Sequence, residues 1–260
     1  MNHPLAVAAV LAALAACMPP AQATDTMTLA VSPAIDQSGL TRPLLAAFTK
    51  SSGVETRAVA GDAHEIARRG DADAAWGEAG EAQKRFMDEG WGIARTVVMR
   101  SSLVLVGPKN DPAHATERGF DVALQTIARS GLSFITSAWT PELRAWSHAG
   151  VDTAKARSTW TRSAPGSAAL AAAASKSAYV LVDRATWLAG RRNGLVVLAE
   201  GDASLANEYA IVVVNPAKYP RVKAEAARTL AAWLASSAGQ QAIAEFRIEG
   251  EAPFTPAAQP

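Results

Sequence analysis

The sequence predicts an α/β protein built as two lobes, and three observations carry that expectation. Short apolar runs alternate with helical stretches between residues 27 and 234, the grammar of a largely parallel sheet covered by helices. Two runs, Ser101–Val106 ending at Gly107-Pro108 and Tyr209–Val214 ending at Asn215-Pro216, are nearly continuous in aliphatic residues, as strands buried on both faces are. They stand about a hundred residues apart, which fits a chain that leaves one lobe, builds a second and returns. A single doubly wound sheet is the alternative that periodicity leaves open.

Taken in order, the first strand is expected over 27–32 and the first helix over 41–50. In that helix Leu44, Leu45 and Phe48 share a face, Pro43 sits in the first turn where its missing N–H costs little, and Gly53 closes the segment. Further strands are expected over 54–59, 72–76, 97–106, 132–136, 179–183, 195–198 and 209–214. The best-marked later helices fall over 78–89, 119–129, 167–176 and 221–234, the last with Ala227, Leu230, Ala231 and Leu234 at helical spacing. The domain plan is a leader over 1–23, lobe I over 24–101 and 211–260, and lobe II over 102–210.

Composition narrows the function. Twenty-five Lys plus Arg against twenty-four Asp plus Glu give a net charge of +1, so no strong field gathers nucleic acid or an anionic membrane. One cysteine excludes an intramolecular disulfide, and the four histidines, His3, His64, His114 and His148, show no metal-ligand spacing. No G-x-S-x-G elbow, P-loop, H-E-x-x-H or G-x-G-x-x-G motif occurs, which speaks against an enzyme and against a cofactor. Asp71 and Asp73 are spaced to share one side of a strand, a pattern explained more simply by a structural motif at a strand start.

Residues 1–24 carry no Asp, Glu, Lys or Arg, and Leu5–Cys17 is almost wholly Ala, Val and Leu, too short to span a bilayer. Small residues at Ala21 and Ala23 suit a signal peptidase cutting before Thr24, whereas Leu14-Ala15-Ala16-Cys17 reads as a lipoprotein box that leaves Cys17 lipidated. Both readings put the mature chain in the periplasm, soluble or lipid-anchored; the missing basic residue ahead of the run keeps a cytosolic apolar helix as the third.

Several segments together resemble one family: Ser38-Gly39-Leu40, RRGDADA from Arg68, FMDEGWG from Phe86, VLVGPKNDPA from Val104, SAYVLVDRATWLA from Ser177, VLAEGD from Val197, Val213-Val214-Asn215-Pro216 and WLASSAGQQAIAEF from Trp233. In this order they are similar to the tungstate-binding proteins of bacterial ABC importers. The resemblance implies a type II periplasmic-binding-protein fold of two lobes, each a mixed sheet flanked by helices. It also implies a monomer that closes on a tungstate- or molybdate-like oxyanion and delivers it to an ABC permease in the inner membrane. The departures fall in the ligand loops. Where the family has Thr and Ser after the first strand, this chain reads Val31-Ser32-Pro33-Ala34-Ile35. The second-lobe loop lacks the family's Arg and glycines and reads Thr136-Ser137-Ala138-Trp139-Thr140-Pro141-Glu142. A third loop appears as Arg162-Ser163-Ala164-Pro165-Gly166-Ser167, and the family's Val-His after GDAD is replaced around Trp76-Gly77-Glu78.

An oxyanion is held by convergent N–H and O–H donors, commonly on loops that open helices beyond the carboxyl ends of strands. Ser32 and Ser38, Thr136 and Ser137, and Ser163, Gly166 and Ser167 meet that description on three loops, with plain helix capping as the competing role for each hydroxyl. Ser101, at the presumed crossing, joins the set. Arg100 or Arg162 is the candidate to replace the missing second-lobe arginine. Trp139 and Trp160 flank the second-lobe loops as pocket walls or packing anchors, and Asp183-Arg184 reads as a structural ion pair. The alternative function is a same-fold binding, sensory or accessory module whose cleft takes another small ligand or none; an exported enzyme is the remote third.

Overall fold

Strand pairing divides the sheet-forming residues into two groups. The computed structural model describes residues 26–138, 140–156, 160–190 and 193–257; the leader, with Cys17 and the cut before Thr24, lies outside the described residues, as does Trp139. The first sheet collects β1 (Met27–Val31), β2 (Thr56–Ala60), β3 (Ala74–Glu78), β4 (Gly92–Ser101), β10 (Asn207–Val214) and β11 (Thr255–Pro256), in the order β11-β4-β10-β3-β1-β2. The second collects β5 (Leu103–Pro108), β6 (Phe134–Thr136), β7 (Thr161–Arg162), β8 (Tyr179–Asp183) and β9 (Leu195–Glu200), in the order β7-β6-β8-β5-β9. Each is mixed: β2-β1-β3 and β7-β6-β8 run parallel, while β10 and β5 pair antiparallel with their neighbours.

The helices cover both faces. They are α1 (Pro33–Ser38), α2 (Thr41–Ser52), α3 (Ala63–Arg68), α4 (Glu81–Asp88), α5 (Ala115–Arg118), α6 (Phe120–Arg129), α7 (Thr140–His148), α8 (Thr153–Ala156), α9 (Ser167–Lys176), α10 (Arg184–Ala189), α11 (Ala224–Ala235) and α12 (Ser237–Glu245). This explains the unbroken apolar runs. In β10, Tyr209, Ile211 and Val213 face the core under α2 and α11, and Val212 and Val214 face the one under α3 and α4. In β5, Leu103 and Leu105 pack towards Phe120, Trp146 and Trp160, while Val104 and Val106 pack towards Leu170 and Trp187. Both residue periods are apolar because both faces are covered.

The expected strand over 97–106 is two strands. β4 ends at Ser101 in the first sheet and β5 begins at Leu103 in the second, so the chain changes sheet at Ser102. It returns between Glu200 and Asn207, four residues ahead of the expected 211, because the ladder of β10 with β4 already holds at Asn207↔Ser101. Helix α4 starts at Glu81 rather than 78, since Trp76, Gly77 and Glu78 stay in the β3–β10 ladder. The base between the sheets is stitched: Ser101 Oγ donates to Pro253 O (2.9 Å) and accepts from Ala185 N (3.1 Å). Arg184 bridges Glu200 (2.6 Å) and Glu251 (3.1 Å), and α1 packs on α10.

Candidate functional site

All six parallel strands end on one cavity of about 580 Å³. From the first sheet it is walled by Ser32 after β1, Gly61 and Asp62 after β2, and Glu78, Ala79 and Gly80 after β3. From the second come Thr140 and Pro141 beyond β6, Pro165 and Gly166 beyond β7, and Asp183 at the end of β8. Parallel strands raise their carboxyl ends towards one edge, where the turns into helices leave room for a solute. Gly166 precedes α9 at φ +75, a backbone state that disfavours any side chain. Among the described residues no group of three or more His, Cys, Asp and Glu is arranged to hold a metal ion.

Two polar groups on the first-sheet wall, Ser32 and Glu78, face the cavity. The Ser32 side chain is 3% exposed and its Oγ has no hydrogen bond of ordinary geometry, although it stands close enough to the Glu78 carboxyl to favour its charged form. Burial dominates for Glu78, and with the negative charge of Asp183 pushes its carboxyl up to about 7. Asp183 is buried and saturated, with Oδ1 accepting from Thr186 N (2.6 Å) and Oδ2 from the Tyr209 hydroxyl and Asn207 Nδ2 (3.4 Å). The Tyr209 phenol is driven upward by burial and by Asp183, so it stays neutral. Burial also holds His64 below its ordinary value, with Nε2 beside Gln83 Nε2 (3.3 Å), which keeps the ring uncharged.

The second-sheet loop is arranged in the opposite way. Thr136 Oγ1 donates to Glu142 Oε1 (2.5 Å), and the Ser137 amide and hydroxyl both donate to Glu142 Oε2 (2.9 Å each). Glu142, in the first turn of α7, is 1% exposed. Three donors of an anion loop thus converge on the chain's own carboxylate. The third loop is pinned by Ser163 N donating to Thr136 O (3.0 Å); Ser163 and Ser167 lie off the cavity wall, and of this loop Pro165 and Gly166 line it.

A domain model of the PBP superfamily matches residues 19–238. The tungstate-binding protein TupA of Peptoclostridium acidaminophilum is 32% identical over 249 residues, covering 90% of this chain and 87% of that one. The chain belongs to the PBP superfamily, in the family of the tungstate-binding proteins. Among solved structures, the TupA tungstate-binding protein of Desulfovibrio alaskensis is similar at 31% identity and a TM-score of 0.76, covering 90% of this chain and 99% of that one. The structure of the tungstate ABC transporter from Geobacter sulfurreducens is similar at 31% identity and a TM-score of 0.77, covering 85% of this chain and 99% of that one. Two lobes, each a mixed sheet between helices, are the type II fold that the sequence resemblance implied.

Set on this binding-protein frame, several expected site residues stand away from the cavity. Ser38 Oγ donates to Ile35 O (2.6 Å) and accepts from Leu40 N (3.2 Å), closing α1 onto α2. Arg100 points Nε and Nη2 at Glu208 Oε1 (3.1 and 3.0 Å) and Nη1 at Ala257 O (3.3 Å), because it lies directly opposite Glu208 in β10 and Thr255 in β11. Ser101 belongs to the stitched base described above. Arg162 is exposed on the edge strand β7. Trp160 is buried against Phe134 (4.8 Å) and Trp146 (4.6 Å), a packing anchor. Asp183 and Arg184 are not each other's partner, since the strand-to-helix turn sends one to the cleft and the other to Glu200 and Glu251. Asp73 is structural, accepting from Thr28 N and Lys223 N (2.7 Å each). Glu78, expected in a helix, is the last residue of β3 and lines the cavity; its signal in the sequence was the altered Trp76-Gly77-Glu78 segment.

Proposed function

We propose that this chain is the exported solute-binding component of an ABC importer. It takes a small tetrahedral oxyanion of the tungstate or molybdate kind between its lobes and presents it to a permease. The observation that carries this reading is the Ser32 hydroxyl, buried, unpartnered and on the wall of a cavity shared by both sheets. A buried donor without an acceptor is costly, and a ligand oxygen removes that cost. The names of the relatives support the anion class. The apolar leader supports export, with maturation before Thr24 or lipidation at Cys17, and the two strand crossings near Ser102 and residues 201–206 are the hinge on which the lobes move.

A second reading, a same-fold module for a different solute, has one observation in its favour: Asp62, Glu78, Glu81 and Asp183 all line the cavity. Thermal-shift screening of tungstate, molybdate, sulfate and phosphate beside a set of organic ammonium ions separates the two. Stabilisation by oxyanions alone is the expected outcome, and stabilisation by ammonium compounds alone would replace the first reading with the second.

A further inference from the structure

An anion and an ionised carboxylate tolerate each other in one site only with a proton between them, and the cleft wall sets Glu78 beside the unpartnered Ser32 hydroxyl. The inference that follows rests on the oxyanion reading above and deepens it. We infer that Glu78 is the specificity-determining residue of the cleft: it carries one proton when a fully deprotonated oxyanion such as tungstate is bound and donates it to that anion as a hydrogen bond.

On the first-sheet wall the surroundings of Glu78 supply no substitute for that proton. Asp183, facing it from the end of β8, and Asp62, the cap of α3, both add negative potential. Glu81 brings a further acid from α4. Of the bases around the cavity, Lys84 pairs with Asp88 (2.5 Å), and Arg144, on α7 across the cleft, gives one N–H to Ala206 O (3.2 Å) and keeps its charge. His64 on α3 is uncharged, its Nε2 occupied by Gln83. Tyr209, opposite Glu78 in the β3–β10 ladder, gives its hydroxyl to Asp183. Glu78 is therefore the acid on this wall that can change its charge to suit a ligand. Its carboxyl, held near 7 by burial and by Asp183, gains a proton at little cost in neutral solution. No bond is made or broken in this step; above neutrality the proton comes from solvent as the anion enters.

The test is calorimetric titration of dilute tungstate into the mature chain at pH 6 and pH 8, each in two buffers of different ionisation enthalpy. The expected result at pH 8 is uptake of close to one proton per tungstate, with affinity about tenfold weaker than at pH 6, as linkage to one group titrating near 7 requires. Glu78→Gln, whose amide donates at any pH, should take up no proton, bind alike at both pH values and exceed the wild type about tenfold at pH 8. Wild-type binding at pH 8 without proton uptake, or an unchanged pH dependence in Glu78→Gln, would overturn the inference while leaving oxyanion capture standing. Binding of tungstate and molybdate by neither protein at either pH would overturn the oxyanion reading and the inference together.

Discussion

At the end of β1 the Ser32 hydroxyl is buried without a partner, whereas at the end of β6 the hydroxyls of Thr136 and Ser137 both donate to Glu142. The two loops occupy equivalent places in their sheets and carry hydroxyl residues, yet one leaves its hydroxyl unbonded on the cavity wall and the other consumes its donors internally. The difference lies in the helix that follows. α1 opens with Pro33-Ala34-Ile35, and the acid of its first turn, Asp36, is exposed and its carboxylate makes no bond to the Ser32 hydroxyl, while α7 opens with Thr140-Pro141-Glu142 and brings a carboxylate back onto the loop. A hydroxyl beyond a strand is thus open to a solute only where the next turn leaves it unsatisfied.

The largest expected effect strikes the satisfied loop. Glu142→Ala strands two hydroxyls and an amide in a buried place, and should lower unfolding stability by about 3 kcal/mol in denaturant titration. A loss below about 1 kcal/mol would mean that the carboxylate does not hold this loop. Next is Glu78→Gln on stability. The folded-state pKa of Glu78 is raised, so below the ordinary carboxylate range both states are protonated and the residue is neutral to folding. As pH rises from there to about 7, the unfolded chain ionises first and stability is lost. Replacement by Gln should therefore change little at pH 4 and stabilise by on the order of 2 kcal/mol at pH 8, read from melting curves. Equal shifts at both pH values would contradict the raised pKa.

The open loop should behave in reverse. Ser32→Ala removes a hydroxyl that has no hydrogen bond of ordinary geometry in the unliganded fold, so stability should hold within about 1 kcal/mol or rise slightly. The smallest effect belongs to Arg100→Ala. Its pair with Glu208 is half exposed, and exposed pairs contribute roughly 0–1 kcal/mol. Tungstate affinity should be unchanged, and a large loss would return Arg100 to the ligand site.

The fold was largely legible because burial on both faces writes itself as unbroken apolar runs: 179–183 and 167–176 are a strand and a helix at the expected bounds. The two lobes were expected to join near 101–102; that the run over 97–106 is two strands in two sheets was not legible, since a change of sheet within an extended run leaves no break in strand periodicity. Of the candidate site residues, Ser32 and Gly166 line the cavity. Glu142 could be read from the sequence only as part of a loop. That it saturates Thr136 and Ser137 depends on the entry angle of α7, which spacing does not encode. Arg100 drew attention for its charge, and its partner Glu208 lies 108 residues on, joined only by strand pairing.

The most direct test is an equilibrium tungstate titration of the wild type, Ser32→Ala and Glu142→Gln side by side at pH 6, where Glu78 holds its proton. The account predicts that Ser32→Ala loses about tenfold in affinity, the value of one hydrogen bond to a charged acceptor, while Glu142→Gln stays within about threefold of the wild type. The opposite pattern, with Ser32→Ala silent and Glu142→Gln altering affinity tenfold or more in either direction, would show that the second-sheet loop holds the anion and would contradict the assignment.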